Sequence, residues 1–297
     1  MSKEIKKPNF FIVGGPKCGT TSMSEYLRSH PDVFFSNPKE PHFFNTDFSD
    51  RQRKYHSEKE YLKLFKQAKG YDAVGEGSVY YLSSKEAISN IIKFNPAAKF
   101  IVMLRNPLKM FTSLFHQYRY SLVEDQTSLY DAWMLQDSRS KGENIPPGCA
   151  DPKLLQYKNI CSIGNQLENL YERTLAENIH TIFMDDIKKD PEKVCVNICK
   201  FLEINQDNGN FPTKNERKKN KSDVIKYFLR KLSLIKSTLC VKMNLGLHSR
   251  IKNINTEKVY NKDTINQDLK AELLIAFEDD INKLSLLTNR DLSNWFK

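Results

Sequence analysis

Four short apolar runs punctuate the chain. Phe10–Val13 leads into a glycine-containing turn, and Asp72–Ser78 is bounded by turn formers. Lys99–Leu104 (KFIVML) stops at Arg105, and His180–Met184 (HTIFM) stops at Asp185–Asp186. Runs this short and this continuously apolar predict strands of a parallel sheet covered on both faces. Helical spacing fills the gaps between them. It predicts helices over Thr20–Ser29, Ser84–Phe94 (closed by Pro96), Pro107–Val123, Ile163–Glu177 and Pro191–Leu202, with two more at Val224–Ile235 and Asn266–Leu287. The repeated strand–loop–helix order predicts an α/β fold: a P-loop-like parallel sheet flanked by helices on both faces, with ligands at the carboxyl ends of the strands.

The stretch Glu124–Lys158, with Ile-Pro-Pro-Gly at 145–148, reads as an excursion over the surface, a lid or acceptor-contact region. Asn205–Ser222 reads as a mobile basic loop. No internal repeat is evident, so residues 1–297 read as a single domain.

Composition narrows the class. Hydrophobic residues make up 39% and charged residues 28%, enough apolar material for a large core. No apolar run of roughly 18 residues is present, so no transmembrane helix is expected. Met1–Asn9 is polar, and the apolar stretch after it is too short for a signal-peptide core, which gives a cytoplasmic expectation. The six cysteines form no CxxC and no zinc-type cluster, so no metal is expected. Cys195 and Cys199 read as small apolar packing residues on one helix.

The net charge of +10 is uneven. Between Thr213 and Lys236, nine lysines and arginines stand against Glu216 and Asp223, a local excess of +7. Such a patch predicts an anionic partner or a solvated lysine-rich face. Nucleic acid is not the expected partner, because no nucleic-acid-binding signature accompanies the patch.

The most informative segment is Phe11–Ser22, FIVGGPKCGTTS. It encodes a strand, a glycine turn and a helix start, whose backbone amides form a ready anion site. Four residues separate Gly14 from Gly19, which is Walker A spacing. Thr20 occupies the Walker lysine position and the lysine lies inside the loop, at Lys17. A phosphate is implied, but not the Mg-nucleotide geometry of a kinase. The same residues also suit a helix capped by Thr20 or Ser22.

The segment GGPKCGTTSM resembles the 5′-phosphosulfate loop of sulfotransferases that use 3′-phosphoadenosine 5′-phosphosulfate (PAPS). Lys39-Glu40-Pro41-His42-Phe43-Phe44 resembles the acidic segment of the heparan-sulfate type enzymes and their bacterial relatives. Tyr71–Leu82, Phe100–Ser113, Ile182–Leu202 and Arg290–Trp295 continue the resemblance in order along the chain.

The resemblance implies a PAPS-dependent sulfotransferase that releases PAP and needs no metal. Its acceptor would be a hydroxyl of a carbohydrate, a glycolipid or another alcohol. Lys17, Cys18, Gly19, Thr20, Thr21 and Ser22 would bind the 5′-phosphosulfate, and Arg105 with Ser113 the 3′-phosphate. Glu40 would be the catalytic base, with His42 as a second candidate for base or positioning group, and Lys17 would neutralise the leaving phosphate. Two positions depart from the pattern: Gly77 stands where heparan-type members present a lysine, and Ile163 where a tyrosine is usual. Two alternatives stay open. One is a Mg-dependent P-loop kinase, with Ile182–Asp185 as a Walker B-like strand. The other is a non-catalytic module that binds PAP or a polyanion.

Overall fold

A computed structural model describes residues 5–206, the backbone of 218–220 and 256–258, and residues 265–296. Five strands form one sheet: β1 (Phe10–Ile12), β2 (Val33–Phe35), β3 (Ala73–Gly77), β4 (Lys99–Leu104) and β5 (Ile179–Phe183). Their order is β2-β3-β1-β4-β5, and every pairing is parallel. β1 lies between β3 and β4, with Phe11 opposite Glu76 on one side and Phe100 on the other. Phe10, Phe11 and Ile12 are fully buried, as are Phe100 to Leu104. Successive strand residues face opposite sides, so this burial means that both faces of the sheet are covered.

The helices are α1 (Thr20–Ser29), α2 (Glu58–Leu62), α3 (Ala87–Phe94), α4 (Pro107–Ser121), α5 (Leu129–Met134), α6 (Gln136–Ser140), α7 (Tyr157–Cys161), α8 (Ile163–Tyr171), α9 (Met184–Lys189), α10 (Pro191–Leu202) and α11 (Gln267–Thr288). α1 and α10 have the boundaries their patterns predict. Ser84 lies outside α3: its hydroxyl accepts from the amides of Glu86 and Ala87 at 3.2 and 3.0 Å in the turn that precedes the helix. α8 is shorter than its pattern and ends at Tyr171. β2 was not predicted: a three-residue edge strand is too short to show a period.

α4 matters most for the site. Its cap Asn106 accepts from the amides of Leu108 and Lys109 at 2.9 and 3.2 Å, with Pro107 at the first helical position. The Asn106 amide also donates to the Trp295 carbonyl at 3.2 Å, which ties the C-terminal segment to the end of β4. Arg290 ties the same segment to α9 with a bidentate ion pair to Asp186, at 2.5 and 2.8 Å.

Residues 124–158 are more than a surface excursion. They hold α5, α6 and the start of α7, and Trp133, Leu155 and Tyr157 are buried. Their anchor is an ion pair between Arg139 and Glu124, both with fully buried side chains, at 2.6 and 2.7 Å. The Tyr157 hydroxyl and the amides of Asp125 and Gln126 also donate to Glu124, so the buried charge is fully satisfied. Within the loop expected over 205–222, Lys218–Asn220 is a strand, β6, paired antiparallel with β7 (Thr256–Lys258). The helix expected over Val224–Ile235 and the rest of the basic 213–236 window lie outside the described residues.

Candidate active site

The carboxyl ends of β1, β2, β3 and β4 open onto one cleft of about 580 Å³. Lys17, Gly19, Thr20, Thr21, Glu40, Arg105 and Ser113 line it together. These residues come from three segments distant in sequence, and the parallel sheet brings them to one edge.

The loop after β1 is shaped by close approach. A Cβ on Gly14 would sit 2.3 Å from the Met103 nitrogen, so only glycine lets the loop pass over β4. Gly19 enters α1 with φ 91°, and no side chain caps the helix, which leaves its first-turn amides for an anion. The neighbouring cation is Lys17, also left-handed at φ 67°. Its carbonyl accepts from Arg105 Nη1 at 2.6 Å, and its Nζ donates to Gln117 Oε1 at 3.4 Å. One arginine thus both lines the cleft and holds the loop.

The segment after β2 carries Glu40, whose amide donates to the Gly77 carbonyl at 3.1 Å. Lys39 Nζ donates to Glu40 Oε1 at 2.6 Å and to Thr20 Oγ1 at 3.3 Å. Lys39 therefore joins the carboxylate to the phosphate loop. Sequence reasoning missed it; the only signal was its place beside Glu40. Burial pushes the Glu40 carboxyl up, but the Lys39 charge and hydrogen bond, with His42 and Lys54 behind them, outweigh it and hold the carboxyl below its ordinary range.

His42 sits behind the cleft rather than in its wall. It is 3% exposed, stacked on Tyr80 at 5.4 Å, and its Nε2 is 3.9 Å from Glu40 Oε2. Burial lowers its pKa to about 4, so the ring is neutral at pH 7. Two further sequence-predicted residues keep their side chains out of the cleft. Cys18 is fully buried, with Sγ against Met110 Sδ at 3.7 Å, and burial pushes its thiol up to about 12. Ser22 lies in α1 outside the cleft lining. Neither side chain reaches the cleft.

Below this segment lies a buried carboxylate, Glu76 on β3. Tyr61 and Tyr81 donate to its Oε1 at 3.0 and 2.9 Å, and Ser78 to its Oε2 at 3.1 Å. The Tyr81 hydroxyl accepts from the amides of Phe43 and Phe44, and the Ser78 hydroxyl from that of His42. Glu76 thus orients the hydroxyls that pin the backbone just after Glu40. Glu40 and His42 are both left-handed, with φ 61° and 51°, a conformation that costs about 1–3 kcal/mol per residue and persists only where surroundings impose it.

The sulfotransferase domain family matches residues 7–266 of this chain. The chain belongs to that family. A solved sulfotransferase from Alicyclobacillus acidocaldarius superposes with a TM-score of 0.72 at 25% identity, covering 99% of this chain and 100% of that one. Carbohydrate sulfotransferase 15 of Mus musculus is 31% identical over 221 residues, 60% of this chain and 37% of the mouse protein. The bifunctional heparan sulfate N-deacetylase/N-sulfotransferase 1 of Caenorhabditis briggsae is 21% identical over 201 residues, 66% of this chain and 23% of that protein. This chain thus spans well under half the length of either of these two relatives.

Gly77, where the resemblance puts a lysine in heparan-type members, is the last residue of β3. A Cβ there would point at Ile12 Cβ, 3.1 Å away, and at the Phe35 ring, 3.4 Å away. The cleft wall after β3 is made by Val79 and Tyr80. Asp185, the Walker B-like acid, pairs with Lys188 at 2.9 Å within α9. No helix among the described residues is long and apolar enough to cross a membrane.

Proposed function

We propose that this chain moves a sulfuryl group from PAPS to a hydroxyl of a carbohydrate, glycolipid or other alcohol acceptor. One observation carries the reading: an uncapped helix N-terminus, Lys17, Arg105 and Glu40 meet at a single cleft, with Lys39 bonded to Thr20 and Glu40. These groups suit a donor that is anionic at both ends. The amides at the start of α1, with Thr20 and Thr21, would hold the 5′-phosphate. Arg105 and Ser113 would hold the 3′-phosphate by charge-assisted hydrogen bonds.

The bound donor supplies an activated sulfuryl group on its 5′-phosphate. Lys17 is placed to neutralise the charge that grows on the leaving phosphate oxygen. Glu40 is the base that takes the acceptor hydroxyl proton: it lines the cleft and is ionised at neutral pH. His42 positions the segment, since it is neutral, buried and stacked. Lys39 lies between base and loop, where its charge serves both. A sulfuryl group carries less charge than a phosphoryl group, and these cations stand in for Mg²⁺.

The test is transfer from radiolabelled PAPS by purified protein, without added metal, across glycan, glycolipid and small-alcohol acceptors. Acceptor-dependent transfer is the expected result. Stabilisation by PAP with no transfer to any acceptor would leave a PAP-binding module. Stabilisation by Mg-ATP but not by PAP would make the kinase reading the right one.

A further inference from the structure

Most polar side chains of the cleft wall are already engaged by the protein. Glu40 and Thr20 share Lys39, Gln117 accepts from Lys17, and the hydroxyls of Tyr80 and Tyr118 bond each other at 2.9 Å. Among the described residues, Thr21, Ser113 and Gln52 line the cleft with no protein partner for their side chains. Thr21 stands in the first turn of α1 and Ser113 on α4, where the two phosphates of the donor would take them. Gln52 is left over.

Gln52 sits on a turn that is fastened at both ends. Ser49 donates through its amide to Asp151 Oδ2 at 2.6 Å and through its hydroxyl to the Ala150 carbonyl at 2.7 Å. The backbone amide of Gln52 then donates to the Ser49 carbonyl at 2.9 Å. Two residues on, the Lys54 amide donates to the Pro41 carbonyl at 3.1 Å, and Lys54 Nζ to the Lys39 carbonyl at 3.0 Å. Those two carbonyls belong to the residues that flank Glu40. The turn is thus tied to the segment that carries the base, and the half-buried Gln52 rides on it at the cleft wall. Fixing the turn in advance lowers the cost of any contact it makes with a ligand.

We propose that Gln52 is a specificity residue for the acceptor: its side-chain amide pairs with a second hydroxyl, next to the one whose proton Glu40 takes. A primary amide offers both a donor and an acceptor, and so does a hydroxyl, so the two match in either direction. A carboxylate or sulfate would use only the donors of the amide. The reacting end of the acceptor is therefore an uncharged vicinal diol rather than an isolated alcohol. This inference rests on the sulfotransferase reading with Glu40 as base, and PAP titration tests that reading separately.

The experiment measures transfer from radiolabelled PAPS by the full chain to two neutral probes, trans-1,2-cyclohexanediol and cyclohexanol, which differ by one hydroxyl. Per hydroxyl, the diol is expected to have the higher kcat/KM, by roughly three- to tenfold, the scale of one uncharged hydrogen bond. In Gln52→Ala that advantage is expected to disappear. The bonds that hold the turn do not use the Gln52 side chain, so the variant is expected to fold, and a thermal melt with a PAP titration checks it. An advantage that survives in Gln52→Ala overturns the contact. So does an original chain that binds PAP without preferring the diol, whether it transfers to both probes alike or to neither. A preference lost together with PAP affinity would make Gln52 part of the donor site and overturns the contact as well. Failure of the original chain to bind PAP counts instead against the sulfotransferase reading itself.

Discussion

Lys39 Nζ donates to Glu40 Oε1 at 2.6 Å and also reaches Thr20 Oγ1 at 3.3 Å, so one ammonium bridges the candidate base and the phosphate loop. The bridge sets the ionisation of Glu40. Without it, the carboxyl loses its largest lowering influence and its pKa rises. The base must be ionised to work, so its folded pKa fixes the acid limb of the pH–rate profile. Lys39→Met is expected to move that limb to higher pH, read from kcat/KM between pH 4 and 8. An acid limb that stays in place would separate Lys39 from the base.

Glu40→Gln is expected to lose roughly 10²- to 10⁴-fold in kcat, the range of general-base catalysis, while PAP affinity stays constant. Glutamine keeps the shape and tolerates the same backbone, but its amide takes no proton. His42→Ala is expected to cost less in kcat and more in stability, because the ring is packed on Tyr80. The reverse ranking would make His42 the base.

Arg105→Ala is expected to weaken PAP by about 2 kcal/mol or more, the scale of a charged hydrogen bond broken from one side. Adenosine 5′-phosphosulfate lacks the 3′-phosphate and should lose less. Part of any shared loss comes from the loop, since Arg105 also holds the Lys17 carbonyl at 2.6 Å. Parallel titrations with the two nucleotides separate the contributions, and equal losses would remove Arg105 from the 3′-phosphate.

Glu76 gives a pH signature in stability. Burial raises its pKa to about 7 against the pull of three hydroxyl donors, whereas the unfolded chain titrates it near the ordinary 4.5. Between those values the folded state holds a proton that the unfolded state has released. Stability therefore falls as pH rises through this window, by up to about 3 kcal/mol, and levels off above it. Glu76→Gln is expected to flatten that fall in denaturant melts from pH 4.5 to 8. It should also lower kcat by loosening the hydroxyls that pin residues 42–44. A variant with the same slope as the original chain would show that Glu76 does not carry it.

Arg139→Ala is expected to cost about 3–5 kcal/mol, because it strands the buried Glu124 charge. The double variant Arg139→Met/Glu124→Leu is expected to recover only part of this. Glu124 also accepts from Tyr157 and from the amides of Asp125 and Gln126, and leucine leaves those donors without partners. Full recovery in thermal melts would mean that those three further donors to Glu124 carry no weight in stability.

The features legible in the sequence are the local ones. β1, the Gly14–Gly19 loop and α1 are encoded by neighbouring residues, as are Asn106-Pro107 at the start of α4 and Asp190-Pro191 at the start of α10. Apolar runs, turn glycines and caps act within a few residues of themselves, so they read out without the rest of the chain. That was enough for the α/β class, four of the five sheet strands and the list of cleft candidates. The tertiary structure alone decided which candidates face the cleft. Cys18, Ser22 and His42 turn away, and Lys39 joins the site through Thr20. It also decided that Arg105 reaches back 88 positions to hold Lys17, and that Arg139 and Glu124 bury their charges together. The direction of a side chain depends on which distant strand or loop packs beside it, and no local period carries that information.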